Sequence, residues 1–166
     1  MKYLLPLLFL LLSSCAHMQD WKINGVPCQR FAHMEAKEYA QVSAGIATTF
    51  LSHWAGHVAC YEIIGASWSQ EGLSERYFKE GMSESEHQWC GRSGFIGQLA
   101  GGIALKLSPW RDSLFAAGYH IGTAAEIITY PLHGMEDIKT VRSHGGDADL
   151  EYGAYSIMAL WLMGPY

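Results

Sequence analysis

Apolar positions dominate most of this chain, and two polar stretches divide them. Met34–Ala66 is the longest helical candidate: its first turns carry Glu35, Lys37 and Glu38, and from Val42 onward it is almost wholly apolar, with Glu62 the only formal charge. Ser67–Gly91 is rich in Ser, Glu and Gly, and predicts a short helix around Leu73–Lys79 followed by a loop. Gly94–Leu107 is apolar again and is stopped by Ser108-Pro109. Ser113–Tyr130 predicts a second strong helix, ended by Pro131. His133–Glu151 reads as a polar loop around Gly145-Gly146-Asp147, and Tyr152–Met163 as a last apolar helix. No convincing strand alternation and no internal repeat occurs. The expected fold class is mainly α, a compact bundle of four or five helices.

Several of these segments are apolar all round, which means deep burial or contact with lipid. Gly94, Gly97 and Gly101 recur at helical spacing, as do Gly118 and Gly122. Small residues three or four apart let helices approach closely in either setting. Val42–Ala66 and Ser113–Leu132 are long enough to span about 30 Å of hydrocarbon, whereas Gly94–Leu107 and Tyr152–Met163 are short for it. Trp68, Trp89, Trp110 and Trp161 lie near the ends of apolar segments, which suits a membrane-interface belt and the rim of a helical core equally.

The amino terminus narrows the setting. Lys2 precedes a short apolar run from Tyr3 to Leu12, then Ser13, Ser14 and Cys15, the pattern of a secretory signal peptide. Leu12-Ser13-Ser14-Cys15 resembles the lipobox of bacterial lipoproteins. The resemblance implies a signal peptide over residues 1–14, cleavage before Cys15, and diacylglyceryl and amino-terminal acyl (palmitate-type) groups on that cysteine. It further implies a lipidated tether over residues 15–30, a helical domain over 31–166, and membrane lipid as a partner through Cys15. With Ala rather than Asp at position 16, it implies the outer membrane, facing the periplasm, in a host with two membranes. Losing residues 1–14 removes one Lys and no acid, leaving 152 residues at a formal charge of −6. Such an acidic chain lacks the clustered Lys and Arg that phosphate contacts need, so no nucleic-acid partner is expected.

Export places Cys28, Cys60 and Cys90 in an oxidising compartment, where one disulfide is expected. Three single pairings exist. Cys28 lies in a loop-like stretch and Cys90 beside a glycine, a context that favours Cys28–Cys90. The chain has no CxxC motif.

Candidate chemistry centres on His53-Trp54-Ala55-Gly56-His57. Two histidines four apart share one helix face and can bind one metal ion through both imidazoles. With Thr49 upstream, these residues resemble the HExGH helix of zinc metallopeptidases, which implies zinc ligation by His53 and His57. The glutamate that activates zinc-bound water in that family is replaced here by Trp54. The pair could bind metal without hydrolysis, recruit another carboxylate such as Glu62 or Glu126 as base, or be buried and hydrogen-bonded without any metal. A third ligand is required. Cys60 lies on roughly the same face, but Glu126, alone in an apolar helix where an unpaired carboxylate is costly, is the preferred candidate. Glu62, one turn beyond His57, could snorkel at the helix end, pair with Arg92 or Lys106, or orient a histidine, and a structural role is expected for it. His120 is expected to be a core histidine satisfied by a backbone carbonyl.

His133, Asp137, His144, Asp147 and Asp149 form a looser polar set that reads as a solvated loop, since Asp147-Ala148-Asp149 lacks the spaced acids of an EF-hand. Ser52, Ser67 and Ser93 have no nucleophile-elbow context. Two functional expectations stand side by side. One is an envelope lipoprotein with a zinc site, perhaps a divergent metallohydrolase. The other is a non-catalytic helical lipoprotein that acts through lipid or an envelope protein partner.

Overall fold

The computed structural model describes residues 21–71, 74–130 and 136–164. The expected signal peptide over residues 1–14, Cys15, Pro131 and His133 lie outside the described residues. The remainder is a helical bundle with two small hairpins. Strands β1 (Lys22–Ile23) and β2 (Val26–Pro27) lead into the short helix α1 (Cys28–Ala32) and the long helix α2 (Ala36–Ile64). Strands β3 (Ser67–Glu71) and β4 (Ser74–Phe78) form an antiparallel hairpin. Helices α3 (Glu84–Leu107), α4 (Leu114–Thr129), α5 (Glu136–Ser143) and α6 (Ala148–Met163) complete the chain.

Local chemistry sets the helix ends. Glu35 and Glu38 form a capping box at the start of α2, and Ser83 and Glu86 form another at the start of α3. Gly65 ends α2 at φ 70°, a left-handed conformation that costs a residue without Cβ little. Ser113 and Asp147 cap α4 and α6 with side-chain oxygens that accept from Ala116 N and Leu150 N.

Helix α2 lies against both α3 and α4, and glycines set how closely. Gly118 and Gly122 of α4 press on the α2 backbone at Val42 and Ile46, and Gly97 of α3 presses on Ser52 and Gly56. Backbone against backbone leaves no room for a Cβ, which is why small residues recur at these positions. Thr49 bridges the α2–α4 crossing by donating to Tyr119 O at 2.9 Å.

Five expectations are corrected. The polar stretch after Ser67 forms the β3–β4 hairpin instead of a helix over Leu73–Lys79, because Trp68 and Tyr77 face one another across it and pack on Cys60, Tyr61 and Cys90. Helix α3 begins ten residues before the apolar run, at its capping box. The expected loop after His133 holds α5, which buries Ile138 and Val141 against Phe95, Leu99 and Ile127. Residues 22–30 are part of the body and not a tether: Ile23, Val26 and Cys28 are buried with Val42, Leu114 and Ile121. Cys90 pairs with Cys60, not Cys28, tying α2 to the first turns of α3. No helix among the described residues is long and apolar enough to cross a membrane. Helix α4 is buried almost throughout, whereas α2 and α6 keep an exposed face that includes Leu51, Ile63, Leu150 and Ile157.

A candidate metal centre between three helices

His53 and His57 project from one face of α2 toward α3, where Gly94 faces both imidazoles. A Cβ at position 94 would sit 2.5 Å from His53 Nε2 and closer still to His57 Nε2, so the missing side chain makes the space into which the two rings point. The third wall is α5, whose Asp137 carboxylate enters from above. His53 Nε2 and His57 Nε2 are 3.1 Å apart, and Asp137 Oδ2 is 3.2 Å from the first and 3.3 Å from the second. Three donor atoms form a nearly equilateral triangle, and His53, His57 and Asp137 are a group that could hold a metal ion. Tetrahedral coordination at ordinary zinc distances places ligand atoms about 3.3 Å from one another, so this triangle has the dimensions of one tetrahedral face.

The groups behind the donors orient them. His57 Nδ1 lies 2.9 Å from the Cys90 carbonyl, an acceptor only, so that nitrogen carries the proton and donates. His53 Nδ1 lies 3.3 Å from Gln98 Oε1. The Gln98 amide cannot be turned around, because its Nε2 donates to Glu126 Oε2 at 2.7 Å. With both Nδ1 atoms committed as donors, both Nε2 lone pairs face the triangle together with a carboxylate oxygen. Three acceptors at such distances repel one another unless a cation, a proton or a metal ion, lies among them. Asp137 is held in turn by Tyr130, whose hydroxyl donates to Oδ2 at 2.6 Å and accepts from the Asp137 N–H at 3.2 Å.

Electrostatics follow this geometry. Burial alone would lower His53, but the hydrogen bond and charge of Asp137, with the charge of Glu126, push it up to about 9. Burial alone would raise Asp137, and the two histidines outweigh it, holding the carboxyl well below the usual carboxylate range. Glu126 is shifted upward, because burial exceeds the opposing effects of His53 and Gln98. Burial and the neighbouring Asp137 carboxylate raise Tyr130 far above an ordinary phenol. Without a metal, one proton on His53 satisfies the triangle. The side chains of His53 and Asp137 keep 14% and 17% of their surface exposed.

The structure brings together some expected site residues and separates others. His53 and His57 converge as their spacing predicts. Glu126 is displaced from the ligand role: its Oε1 is 3.6 Å from His53 Nδ1, on the side of the ring away from the triangle. Glu62 is exposed and accepts from Trp68 Nε1 at 2.8 Å, which takes it away from any role as base or as a partner of the histidines. Arg92 pairs with Glu151, and Lys106 caps the end of α6, so neither expected partner of Glu62 engages it. Cys60 is spent in the disulfide. Trp54 turns to the hairpin, donating to Gln70 Oε1 at 2.9 Å and packing edge-on against Trp68. His120 is a core histidine as expected, 3.0 Å from the Gly102 carbonyl and lowered to about 4 by burial. Asp147 caps α6, and Asp149 pairs with Arg142. Ser93 donates to Cys90 O and lies 3.3 Å from His57 Nδ1, a place in the hydrogen-bond shell and not that of a nucleophile.

Asp137, Gln98 and Tyr130 escape sequence reasoning. The one available signal for Asp137 is the apolar pair Ile138 and Val141, three apart in an otherwise polar stretch, which marks a short amphipathic helix able to aim a neighbour inward. No protein family, curated protein or solved structure matches the chain.

Proposed function

We propose that this protein is a lipid-anchored metalloprotein of the bacterial cell envelope. It holds one Zn²⁺ through His53 Nε2, His57 Nε2 and Asp137 Oδ2, and leaves a fourth position to water or to a donor from another molecule. The observation that carries the reading is the triangle itself, three converging ligand atoms 3.1 to 3.3 Å apart, the spacing of one face of a zinc tetrahedron. Two imidazoles and a carboxylate, with no thiolate, form a borderline donor set that suits zinc. Three protein ligands with an open fourth position are the arrangement of zinc sites that act on a bound water or substrate. The envelope setting is supported by the lipobox-like Leu12-Ser13-Ser14-Cys15.

Hydrolysis is the finer reading of the same site. The open position supports it, and Trp54 weighs against it, since no carboxylate takes the place of the family's base. A competing reading is a non-catalytic helical lipoprotein that binds an envelope partner, in which protonated His53 and Asp137 are an internal ion pair. A proton on His53 Nε2, within reach of both His57 Nε2 and Asp137 Oδ2, favours it.

Metal content separates the two. Protein purified without a histidine tag should carry about one Zn²⁺ per chain. His53→Ala, His57→Ala and Asp137→Ala should each abolish it, and Glu126→Ala should retain it. A folded, helical wild type that takes up no Zn²⁺ even when the ion is added overturns the metalloprotein reading.

A further inference from the structure

Three segments far apart in sequence meet at the end of the bundle away from the triangle. Asn24, in the β1–β2 turn, donates its backbone N–H to Met163 O at 3.1 Å and its side-chain amide to Arg111 O. Lys106 Nζ bonds Trp161 O, Leu162 O and Gly164 O and lies 4.7 Å from the centre of the Trp161 ring. The amino-terminal hairpin, the α3–α4 connection and the end of α6 are thus locked together. At this end Leu107, Trp110 and Trp161 are 79%, 71% and 54% exposed, and Leu160 and Trp21, carried by the same locked segments, are exposed too. Aromatic and aliphatic side chains of this size grouped at one end mark an interaction surface.

The length of chain preceding Trp21 indicates what covers it. Six Cα-to-Cα steps separate Cys15 from Trp21. Fully extended, they reach about 20 Å. A domain of this size is about 40 Å across. A lipid on Cys15 therefore holds this end, and no other, near the bilayer. Tryptophan is the side chain best suited to the level of the lipid headgroups, with an apolar ring and a polar N–H.

We propose that Trp21, Leu107, Trp110, Leu160 and Trp161 form a membrane-docking face that rests on the bilayer into which the Cys15 lipid inserts. The inference relies on the lipid anchor proposed above. The docked domain stands upright: α3 runs from Gly94, beside the two imidazoles, to Leu107 at the docking face, so the metal centre is held about 20 Å above the membrane. A site at that height serves molecules in the aqueous compartment rather than lipid headgroups.

The test uses the full chain made in a lipoprotein-processing bacterium and placed in phosphatidylethanolamine–phosphatidylglycerol vesicles with brominated acyl chains. Intact mass reports whether Cys15 carries lipid, and quenching of tryptophan fluorescence reports docking. Quenching that is largely lost in the Trp21→Phe/Trp110→Phe/Trp161→Phe variant and kept in Trp68→Phe, at the other end of the bundle, supports the face. Lipidated protein whose Trp110 and Trp161 stay open to acrylamide and unquenched by bromolipid overturns it and leaves the anchor intact. A chain without lipid on Cys15 refutes the anchor; the face then stands if the added chain is quenched by vesicles and falls if it is not. Shielding that appears without vesicles and grows with protein concentration assigns the face to a second copy and also overturns the proposal.

Discussion

His53 and His57 present Nε2 atoms to each other across 3.1 Å, while Nδ1 of each ring faces an oxygen of α3. Helix spacing brings the rings together, but the acceptors behind them decide which nitrogen is free. Both lone pairs point inward, and the carboxylate of Asp137 closes the third side. The consequences are open to direct measurement.

Asp137→Asn keeps the shape of the side chain and removes its charge. Zn²⁺ affinity should fall by at least about tenfold, since a charged ligand becomes a weak neutral one. Tyr130→Phe leaves the ligand but frees its orientation, and should cost about 10- to 100-fold in affinity, the usual range for groups that position a ligand. Competition titration with a chromophoric chelator measures both. Equal affinity in wild type and Asp137→Asn would remove Asp137 from the ligand set.

Gly94→Ala tests the space between the rings without altering a donor. The new methyl would lie 2.5 Å from His53 Nε2, against α2, whose backbone already touches α3 at Gly56. Something must shift. Metal binding should be lost or strongly weakened, and stability should drop by about 1–3 kcal/mol, the cost of overpacking. Chemical denaturation and metal content, measured on the same samples, check the two effects.

The metal-free protein should show a stability maximum with two flanks. His53 is raised from 6.5 to about 9, so its contribution is full below pH 6.5 and is lost as the pH rises through about 9. Asp137 is lowered from 3.8, so its contribution is present above that value and is lost as the pH falls below it. The alkaline flank is worth at most about 3 kcal/mol. Thermal melts in EDTA across the two windows test the signs: a His53→Gln protein should lack the alkaline flank. An unchanged flank in that variant would assign the effect to another group.

Reduction of Cys60–Cys90 should destabilise the fold by about 3.6 kcal/mol, since it frees a loop that the bridge closes over 30 residues in the unfolded chain. The loss should be local first. The β3–β4 hairpin packs on both cysteines, so its amides should exchange with solvent sooner after reduction than those of α4. Hydrogen exchange resolves the order.

Lys106→Met should weaken the far end of the bundle. One ammonium satisfies three carbonyls at the close of α6, and methionine leaves them without that donor at a cost of about 1–3 kcal/mol. The triangle should keep its metal. A denaturation midpoint equal to wild type would show that water replaces the ammonium without penalty.

The sequence by itself determined the helices and half of the candidate site. Runs such as Val42–Ile64 and Leu114–Thr129 are helices because a helix satisfies their backbone polar groups locally while an apolar face is buried, on one side in α2 and nearly all round in α4. Four-residue spacing places His53 and His57 on one face whatever surrounds them. Tertiary structure alone decided the rest. Asp137 lies 84 residues from His53, and Cys60 finds Cys90 and not Cys28 because α2 and α3 cross there. Glu126 and Glu62 are both carboxylates in apolar runs, yet one packs behind an imidazole and the other reaches out to Trp68. Local periodicity reports which face of a helix is buried, but the partner of that face depends on how helices cross. Here glycines such as Gly94, Gly97 and Gly118 set the crossings through contacts between residues tens of positions apart.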